Sequence, residues 1–309
     1  MKLRRITAVA AIAAALAATT AAVYPRPAPD RLQPMPALTA RALAARYSAD
    51  AHQIALAAAA ARRAGNTALA SSLAGMRGHR FLDFNPRGQG LAVEVFGNLA
   101  TATRVAILVP GSDTSLTTFD SRGTASPGGG AAALAAAAHR LGPGARLAVI
   151  AWLGYATPST LSPAVMTSGD AGQGAAALRP FVDDLARHGR QVALLCHSYG
   201  SVLCGLAAPH LPVTDIAVYG SPGMDAPSVR ALHTTARVWA GRGAGDWIQH
   251  VPHVHFLGLG FGQDPMAPAF GARIFDGGSG GHSDYFKPGG IALRNLARIA
   301  LGDPAGVTR

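Results

Sequence analysis

Residues 191–205 read QVALLCHSYGSVLCG, and this stretch indicates the fold most clearly. The apolar run from Val192 to Cys196 predicts a buried strand, and the apolar residues after Tyr199 recur at helical spacing. Ser198 lies at the turn between strand and helix, which is the context of a nucleophile elbow. Cys196 replaces a glycine of the usual G-x-S-x-G pattern, but its side chain is small enough to allow close packing there. The stretch therefore predicts that Ser198 is a nucleophile.

Strand-like and helix-like segments alternate along the rest of the chain. A hairpin is predicted over residues 80–97 (RFLDFNPRGQGLAVEVFG), where Gly residues occupy the turn. Further strands are predicted within 104–112, 146–155, 215–223, 236–247 and 271–286, and helices over 130–141, 172–187, 199–208 and 290–300. This alternation predicts an α/β fold, with a mostly parallel central sheet flanked by helices and functional residues just past the strand ends.

The segments outside this alternation suggest a division of the chain. Residues 37–78 are rich in Ala, Leu and Arg, and predict two or three helices with breaks near Ser48 and near Gly65-Asn66. We expect an α/β domain over 79–302 and a tail over 303–309.

The first 23 residues predict export. A short basic stretch, MKLRR, precedes an uncharged alanine-rich run, as in a secretory signal peptide. An uncleaved N-terminal anchor is the alternative interpretation of residues 1–23, and a proline-rich linker follows over 24–36. The expected location is therefore outside the cell or in the cell envelope, with membrane contact only through this segment.

Composition argues against several other classes of protein. The chain has 309 residues and a net charge of +11, but nearly all its cations are scattered arginines. A nucleic-acid partner is not expected, because such a protein concentrates its cations in a patch or a stripe. The two cysteines, Cys196 and Cys204, are expected to be buried thiols, because a disulfide requires Cα atoms within about 7 Å.

A serine, an acid and a histidine follow successive strands in the chain order of α/β-hydrolases: Ser198, Asp246 and His282. His282 would act as the base toward Ser198, and Asp246 would orient it. Asp225, Asp264, Asp276 and Asp284 are alternative acids, and Asp225, which follows the preceding strand, is the best substitute among them. His197 is expected to pack behind the site, because adjacent residues at a sharp elbow point apart.

The neighbouring loops supply further candidates. The backbone N–H groups of Tyr199 and Ser112 are expected to form an oxyanion hole. Trp152, Tyr155 and Trp247 are candidates for an apolar substrate wall, although core positions remain open for them. The stretch HVPHVHF (250–256) has no standard metal-ligand spacing, so neither a metal nor another cofactor is expected.

Six motifs in order carry a family resemblance: VPGSDTSLTTFD, AWLGYATP, CHSYGS, YGSPG, GDWI and GGHSDYF. Over roughly residues 80–302 the sequence resembles an actinobacterial α/β-hydrolase family formerly labelled as a domain of unknown function. The resemblance implies an α/β-hydrolase fold with Ser198, Asp246 and His282 at the triad positions. Cys196 departs from the glycine usual in that family.

These observations predict an exported serine hydrolase that acts on a small-molecule or lipid-like carboxylic ester through an acyl-enzyme at Ser198. An amidase or an acyltransferase would use the same triad. A degenerate hydrolase fold that only binds a partner in the envelope is the alternative of a different class.

Overall fold

The computed structural model describes residues 31–121, 123–251 and 259–309. The predicted signal or anchor, residues 1–23, and the first part of the proline-rich linker lie outside the described residues. Within the described part of the chain, no helix combines the length and the apolar character needed to cross a membrane.

One eight-stranded sheet forms the centre of the molecule. Its strands are β1 (Phe81–Asn85), β2 (Leu91–Phe96), β3 (Arg104–Val109), β4 (Leu147–Leu153), β5 (Gln191–His197), β6 (Asp215–Tyr219), β7 (Arg237–Gly241) and β8 (Arg273–Ile274). They lie in the order β1-β2-β4-β3-β5-β6-β7-β8. The β1–β2 and β2–β4 pairs are antiparallel, and every other pair is parallel. The predicted hairpin and strands are thereby confirmed.

Helices cover both faces of this sheet. The six helices of the described residues are α1 (Ala40–Arg63), α2 (Thr67–Gly75), α3 (Pro127–Leu141), α4 (Gly169–Arg187), α5 (Gly200–Ala207) and α6 (Ile291–Leu301). The apolar sides of α4 and α5 join the core on one face, and those of α3 and α6 join the core on the other. Burial of the parallel strands on both sides explains their continuous apolar sequences.

The N-terminal helices differ from the sequence prediction at one point. Helix α1 runs without a break through Ser48, so the predicted break near that residue is wrong. Leu43, Ile54 and Ala58 are buried along α1 and hold one helical face against the domain. This packing outweighs the weak helix propensity of a single serine. The second predicted break is confirmed, since Gly65 has a φ of +72° between α1 and α2.

Residues 303–309 pack against the domain. The backbone N–H of Asp276 donates to the carbonyl of Thr308 at 3.0 Å. The amide oxygen of Asn295, on α6, accepts from the backbone N–H of Thr308 at 2.9 Å. These bonds attach the end of the chain to α6 and to the loop after β8.

Candidate active site

Ser198 lies at a sharp turn between β5 and α5. Its φ is +52°, a left-handed conformation that non-glycine residues rarely adopt and that marks a strained functional turn. A Cβ on Gly200 would come within 2.6 Å of the carbonyl oxygen of Pro110, and one on Gly111 within 2.7 Å of the Ser198 Cβ. Both glycines are therefore needed for the close approach of the β3 loop to the elbow.

A chain of two hydrogen bonds joins the three residues predicted from the sequence. The hydroxyl of Ser198 donates to Nε2 of His282 at 2.9 Å, and Nδ1 of His282 donates to Oδ1 of Asp246 at 2.8 Å. Ser198 follows β5, Asp246 follows β7 and His282 lies in the loop between β8 and α6. The structure thus brings the sequence-predicted triad together at one edge of the sheet, with Asp246 as the acid in contact with His282.

The carboxylate of Asp246 is fully buried but well supplied with donors. Oδ1 accepts from the backbone N–H of Ile248 at 2.9 Å, and Oδ2 accepts from the phenol of Tyr285 at 2.5 Å. Burial alone would raise the pKa of Asp246. The hydrogen bonds from His282, Tyr285 and Ile248 outweigh burial and lower the pKa below its usual range, so Asp246 stays ionised opposite His282.

Gly220, directly after β6, leaves room for the Asp246–His282 pair. Its φ is +56°, and a Cβ there would lie 2.9 Å from Oδ2 of Asp246 and 3.1 Å from Nδ1 of His282. No larger residue fits without moving one partner of the pair.

His197 lies behind the triad, as the sequence predicted. Its Nε2 donates to the backbone carbonyl of His282 at 2.8 Å, and its ring centroid lies 4.7 Å from that of His282. Burial and the neighbouring His282 lower the pKa of His197 to about 3. The ring is therefore neutral at pH 7 and suited to positioning His282.

A cavity of about 500 Å³ opens over Ser198 and His282. Ser112 and Tyr199, the two predicted oxyanion donors, both line it. The phenol of Tyr199 donates to the carbonyl of Thr167 at 2.7 Å and accepts from the N–H of Ala171 at 3.1 Å. These bonds fasten the residue after the nucleophile to the start of α4.

Only one of the three aromatic residues predicted for the substrate wall lines this cavity. Trp247 is half exposed, and its ring centroid lies 4.6 Å from that of His282. Trp152 and Tyr155 instead stack on each other in the core, with centroids 6.2 Å apart. Their assignment to the substrate wall is wrong. The Trp152 side chain projects from β4 beneath the helices, and the Tyr155 phenol donates to the carbonyl of Pro110.

Cys196 and Cys204 form a disulfide, so the expectation of two free buried thiols is also wrong. The reversal of the chain at Ser198 turns α5 back toward the end of β5. The two Cα atoms are consequently 6.5 Å apart, within reach of a disulfide. The bridge closes the elbow on the side away from the cavity.

Three features of the site were not predicted from the sequence: the contacts of Tyr285 and of Gly220 with the triad, and the contact of Gly111 with Ser198. Tyr285 and Gly220 belong to the motifs GGHSDYF and YGSPG, and their place in these motifs was the sequence signal that could have identified them. The histidine-rich stretch 250–256 lies mostly outside the described residues.

The chain is similar in sequence to a known family and to two curated proteins. The model of a family described as alpha/beta hydrolase matches residues 85–256. Two uncharacterized proteins of Mycobacterium tuberculosis, MT2140 and Rv2079, are each 32% identical over 251 residues. The match covers 70% of this chain and 37% of each relative, so the chain spans well under half the length of these curated relatives.

Two solved structures are similar in fold. Dienelactone hydrolase from Anabaena variabilis is 16% identical, with a TM-score of 0.46, over 75% of this chain and 98% of that chain. XC6422 from Xanthomonas campestris, described as an a/b serine hydrolase without lid, is 15% identical. Its TM-score is 0.42, and the match covers 72% of this chain and 94% of that chain.

Proposed function

The chain belongs to the alpha/beta hydrolase family, and from this premise we propose that it cleaves carboxylic esters through an acyl-enzyme at Ser198. The family membership confirms both the resemblance carried by the sequence motifs and the predicted α/β-hydrolase fold. The ester substrate, the covalent intermediate and the location outside the cell are the parts of this function that we propose.

One observation carries the proposal: the continuous hydrogen-bond chain Ser198–His282–Asp246 at the floor of a cavity. A serine hydroxyl is a weak nucleophile until a neighbouring base accepts its proton. Nε2 of His282 is within hydrogen-bond distance of that hydroxyl, and the ionised Asp246 stabilises the imidazolium that forms. A binding module would not need this alignment.

The proposed reaction has two halves. Ser198 Oγ attacks the ester carbonyl carbon while its proton moves to Nε2 of His282, and the oxyanion accepts hydrogen bonds from the N–H groups of Tyr199 and Ser112. The carbon–oxygen bond to the alcohol then breaks, and His282 returns the proton to the departing alkoxide. In the second half, His282 takes a proton from water while the water oxygen attacks the acyl carbonyl carbon. The bond between that carbon and Ser198 Oγ then breaks, His282 returns the proton to Oγ, and the acid is released.

The lining of the cavity supports an ester with an apolar group. The apolar residues that line the cavity over Ser198 include Val165, Met166, Pro222, Trp247, Val251 and Phe261. Three apolar side chains near the cavity are also strongly exposed: Leu161, Trp247 and Leu259 are 95%, 51% and 52% accessible. The backbone N–H of Gly260 donates to the carbonyl of Met166, which places Leu259 close to the wall. Exposed apolar surface beside a cavity is typical of a binding site for an apolar ligand.

Two observations support the proposed location outside the cell. The basic and then apolar composition of residues 1–23 is that of a secretory signal. The disulfide between Cys196 and Cys204 fits an oxidising compartment, because cytosolic thiols are kept reduced.

The decisive experiment is labelling of the purified protein with a fluorophosphonate, followed by intact-mass measurement. We expect one adduct per chain, on the tryptic peptide that contains Ser198, and none on the Ser198→Ala variant. Ser201→Ala is the matched control, because Ser201 lies on the same peptide but is fully buried. This variant should label like the wild type.

The substrate is tested in the same preparation with p-nitrophenyl esters of increasing acyl length and with the matching anilides. We expect turnover of the esters, with kcat/KM rising from acetate to medium-chain acyl groups. Absence of an adduct on folded protein would contradict the activated nucleophile and favour a binding role. An adduct with faster cleavage of the anilides would instead favour an amidase.

A further inference from the structure

A second polar cluster lies on the structure apart from the triad. His79 precedes β1, Glu94 lies on β2 and Asp120 lies in the loop that leads to α3. Nδ1 of His79 is 2.7 Å from Oε1 of Glu94 and 3.9 Å from Oδ2 of Asp120. One ligand atom from each residue lies within 4.8 Å of the others.

Two oxygens of this cluster accept no hydrogen bond from the described residues. Glu94 is only 1% exposed, and within the described part of the chain neither its Oε2 nor Oδ2 of Asp120 has a hydrogen-bond partner. Burial and the neighbouring Asp120 raise the pKa of Glu94 to about 9, and burial also raises that of Asp120. A buried carboxylate beside a partly buried one requires a positive charge or a proton between them.

We propose that His79, Glu94 and Asp120 bind one divalent transition-metal ion of the Zn²⁺ class. One imidazole nitrogen and two carboxylates are ligands that Zn²⁺ takes at about 2.0–2.2 Å. Tetrahedral geometry at that bond length places ligand atoms roughly 3.4 Å apart, so small side-chain rotations would widen the 2.7 Å separation of His79 from Glu94 and shorten the 3.9 Å separation of His79 from Asp120. The imidazole ligand disfavours Ca²⁺ and Mg²⁺, which prefer oxygen. The side chain of His79 is 40% exposed, which leaves an approach for the ion and for a water ligand.

The backbone next to the cluster is shaped to fit these oxygens. A Cβ on Gly128, in the first turn of α3, would lie 1.7 Å from Oδ1 of Asp120 and 3.0 Å from Oε2 of Glu94. A side chain at this position would therefore fill the space that the two carboxylates share.

The location suggests what the ion would do. The loop that carries Asp120 also supplies Thr118 and residues 124–127 to the wall of the cavity over Ser198. An ion held by His79 and Glu94 would fasten this loop to the β1–β2 hairpin. The site shares no residue with the triad, so the ion would order the cavity wall and take no part in the chemistry.

The test is a metal titration of the full chain after treatment with EDTA. By calorimetry at pH 7.5 we expect one equivalent of Zn²⁺ to bind, and binding of Ca²⁺ to be at least about 100-fold weaker. Glu94→Gln keeps the shape of the side chain and should weaken Zn²⁺ binding by more than about 10-fold. His188→Gln, at an exposed histidine after α4, is the control and should bind Zn²⁺ like the wild type.

Hydrogen exchange supplies a readout that needs no variant. Zn²⁺ should slow exchange at the amides of residues 113–126 in the wild type. Binding with equal affinity in the wild type and Glu94→Gln, or protection confined to the stretch 250–256, would place the metal elsewhere and overturn the proposal. Absence of stoichiometric Zn²⁺ binding would overturn it too, and would mean that a proton joins Glu94 and Asp120.

Discussion

The phenol of Tyr285 donates to Oδ2 of Asp246 at 2.5 Å, on the oxygen that His282 does not use. The Tyr285 oxygen accepts in turn from the backbone N–H of Gly243 at 3.2 Å. Tyr285 therefore ties the acid of the triad to the loop that follows β7. Since the hydrogen bonds of the phenol go to Asp246 and Gly243, Tyr285 acts through the acid of the triad and is a positioning residue.

Tyr285→Phe should lower kcat/KM by about 10-fold, because a hydrogen bond to a buried charge contributes about 1.5–3 kcal/mol. The pKa of Asp246 should rise when this donor is removed. A carboxyl group whose pKa is lower in the folded than in the unfolded protein stabilises the fold at pH values above its pKa in the unfolded protein. This contribution is lost as the pH falls through its pKa in the folded protein. The deficit in Tm of Tyr285→Phe should therefore be larger at pH 6 than at pH 3.

Thermal unfolding of Tyr285→Phe and of Tyr47→Phe, each at both pH values, separates this effect from general loss of a phenol. Tyr47 lies on α1, and its hydroxyl makes no contact with the triad. A Tm deficit of Tyr285→Phe that is independent of pH would show that the phenol acts only in packing.

Gly220→Ala should impair catalysis much more than folding. The new methyl group would lie 2.9 Å from Oδ2 of Asp246, so the acid and His282 must move apart. A displacement of about 1 Å at a catalytic group can cost roughly 100-fold, and we expect a loss of that size in kcat/KM. Gly189→Ala is the matched control, because Gly189 has a φ of +73° but no atom within 4 Å of the position that its new methyl group would take. Equal activity of the two variants would contradict the role of Gly220.

The two neighbouring histidines should differ sharply in importance. His282→Gln removes the base and should lower kcat by roughly a million-fold, as for other triad deletions. His197→Gln should cost less than about 10-fold, since His197 touches His282 through its backbone carbonyl and its ring, and otherwise packs against the rings of Tyr219 and Tyr285. Steady-state kinetics on one p-nitrophenyl ester compares the two, and a reversal of the effects would identify His197 as the base.

Patterns local in the sequence predicted most of the fold and the triad. A strand followed by Ser198 and a helix is recognisable from about 15 residues, because each element has its own apolar period. The order Ser198, Asp246, His282 then placed each residue after a different strand of the parallel part of the sheet. Parallel strands bring such residues to one edge, so their meeting did not require knowledge of the packing.

Features that depend on distances between segments were not predictable. The Cys196–Cys204 bridge depends on how sharply the chain reverses at Ser198, and sequence separation does not measure that angle. Trp152 lies within the apolar run of β4 and Trp247 directly follows Asp246, and the burial of Trp152 depends on the packing of α4 over it. The cluster of His79, Glu94 and Asp120 is formed by residues from three separate segments of the chain, so no local sequence motif predicts it.

Glu94 should make the metal-free protein less stable as the pH rises. With the pKa of Glu94 raised to about 9, the folded state keeps a proton that the unfolded state releases above about pH 4.3. Unfolding then releases a proton, and stability falls between these two pH values. In EDTA, Glu94→Gln should raise the Tm by at least about 3 °C at pH 8 and by less at pH 5. An equal change in Tm at both pH values would show that Glu94 ionises normally.

Reduction of the Cys196–Cys204 disulfide should destabilise the protein without abolishing the site. Closure of a loop with a sequence separation of 8 contributes about 2–3 kcal/mol to the free energy of unfolding, because it restricts the entropy of the unfolded chain. Reduction should therefore lower the Tm by roughly 5–10 °C. Ser198 is also held by its backbone N–H, which donates to the carbonyl of Tyr219, so fluorophosphonate labelling at 25 °C should persist. Calorimetry of the purified, oxidised protein with and without reductant measures the shift, and Cys196→Ala/Cys204→Ala should show none. Two titratable thiols in the unreduced protein would contradict the bridge.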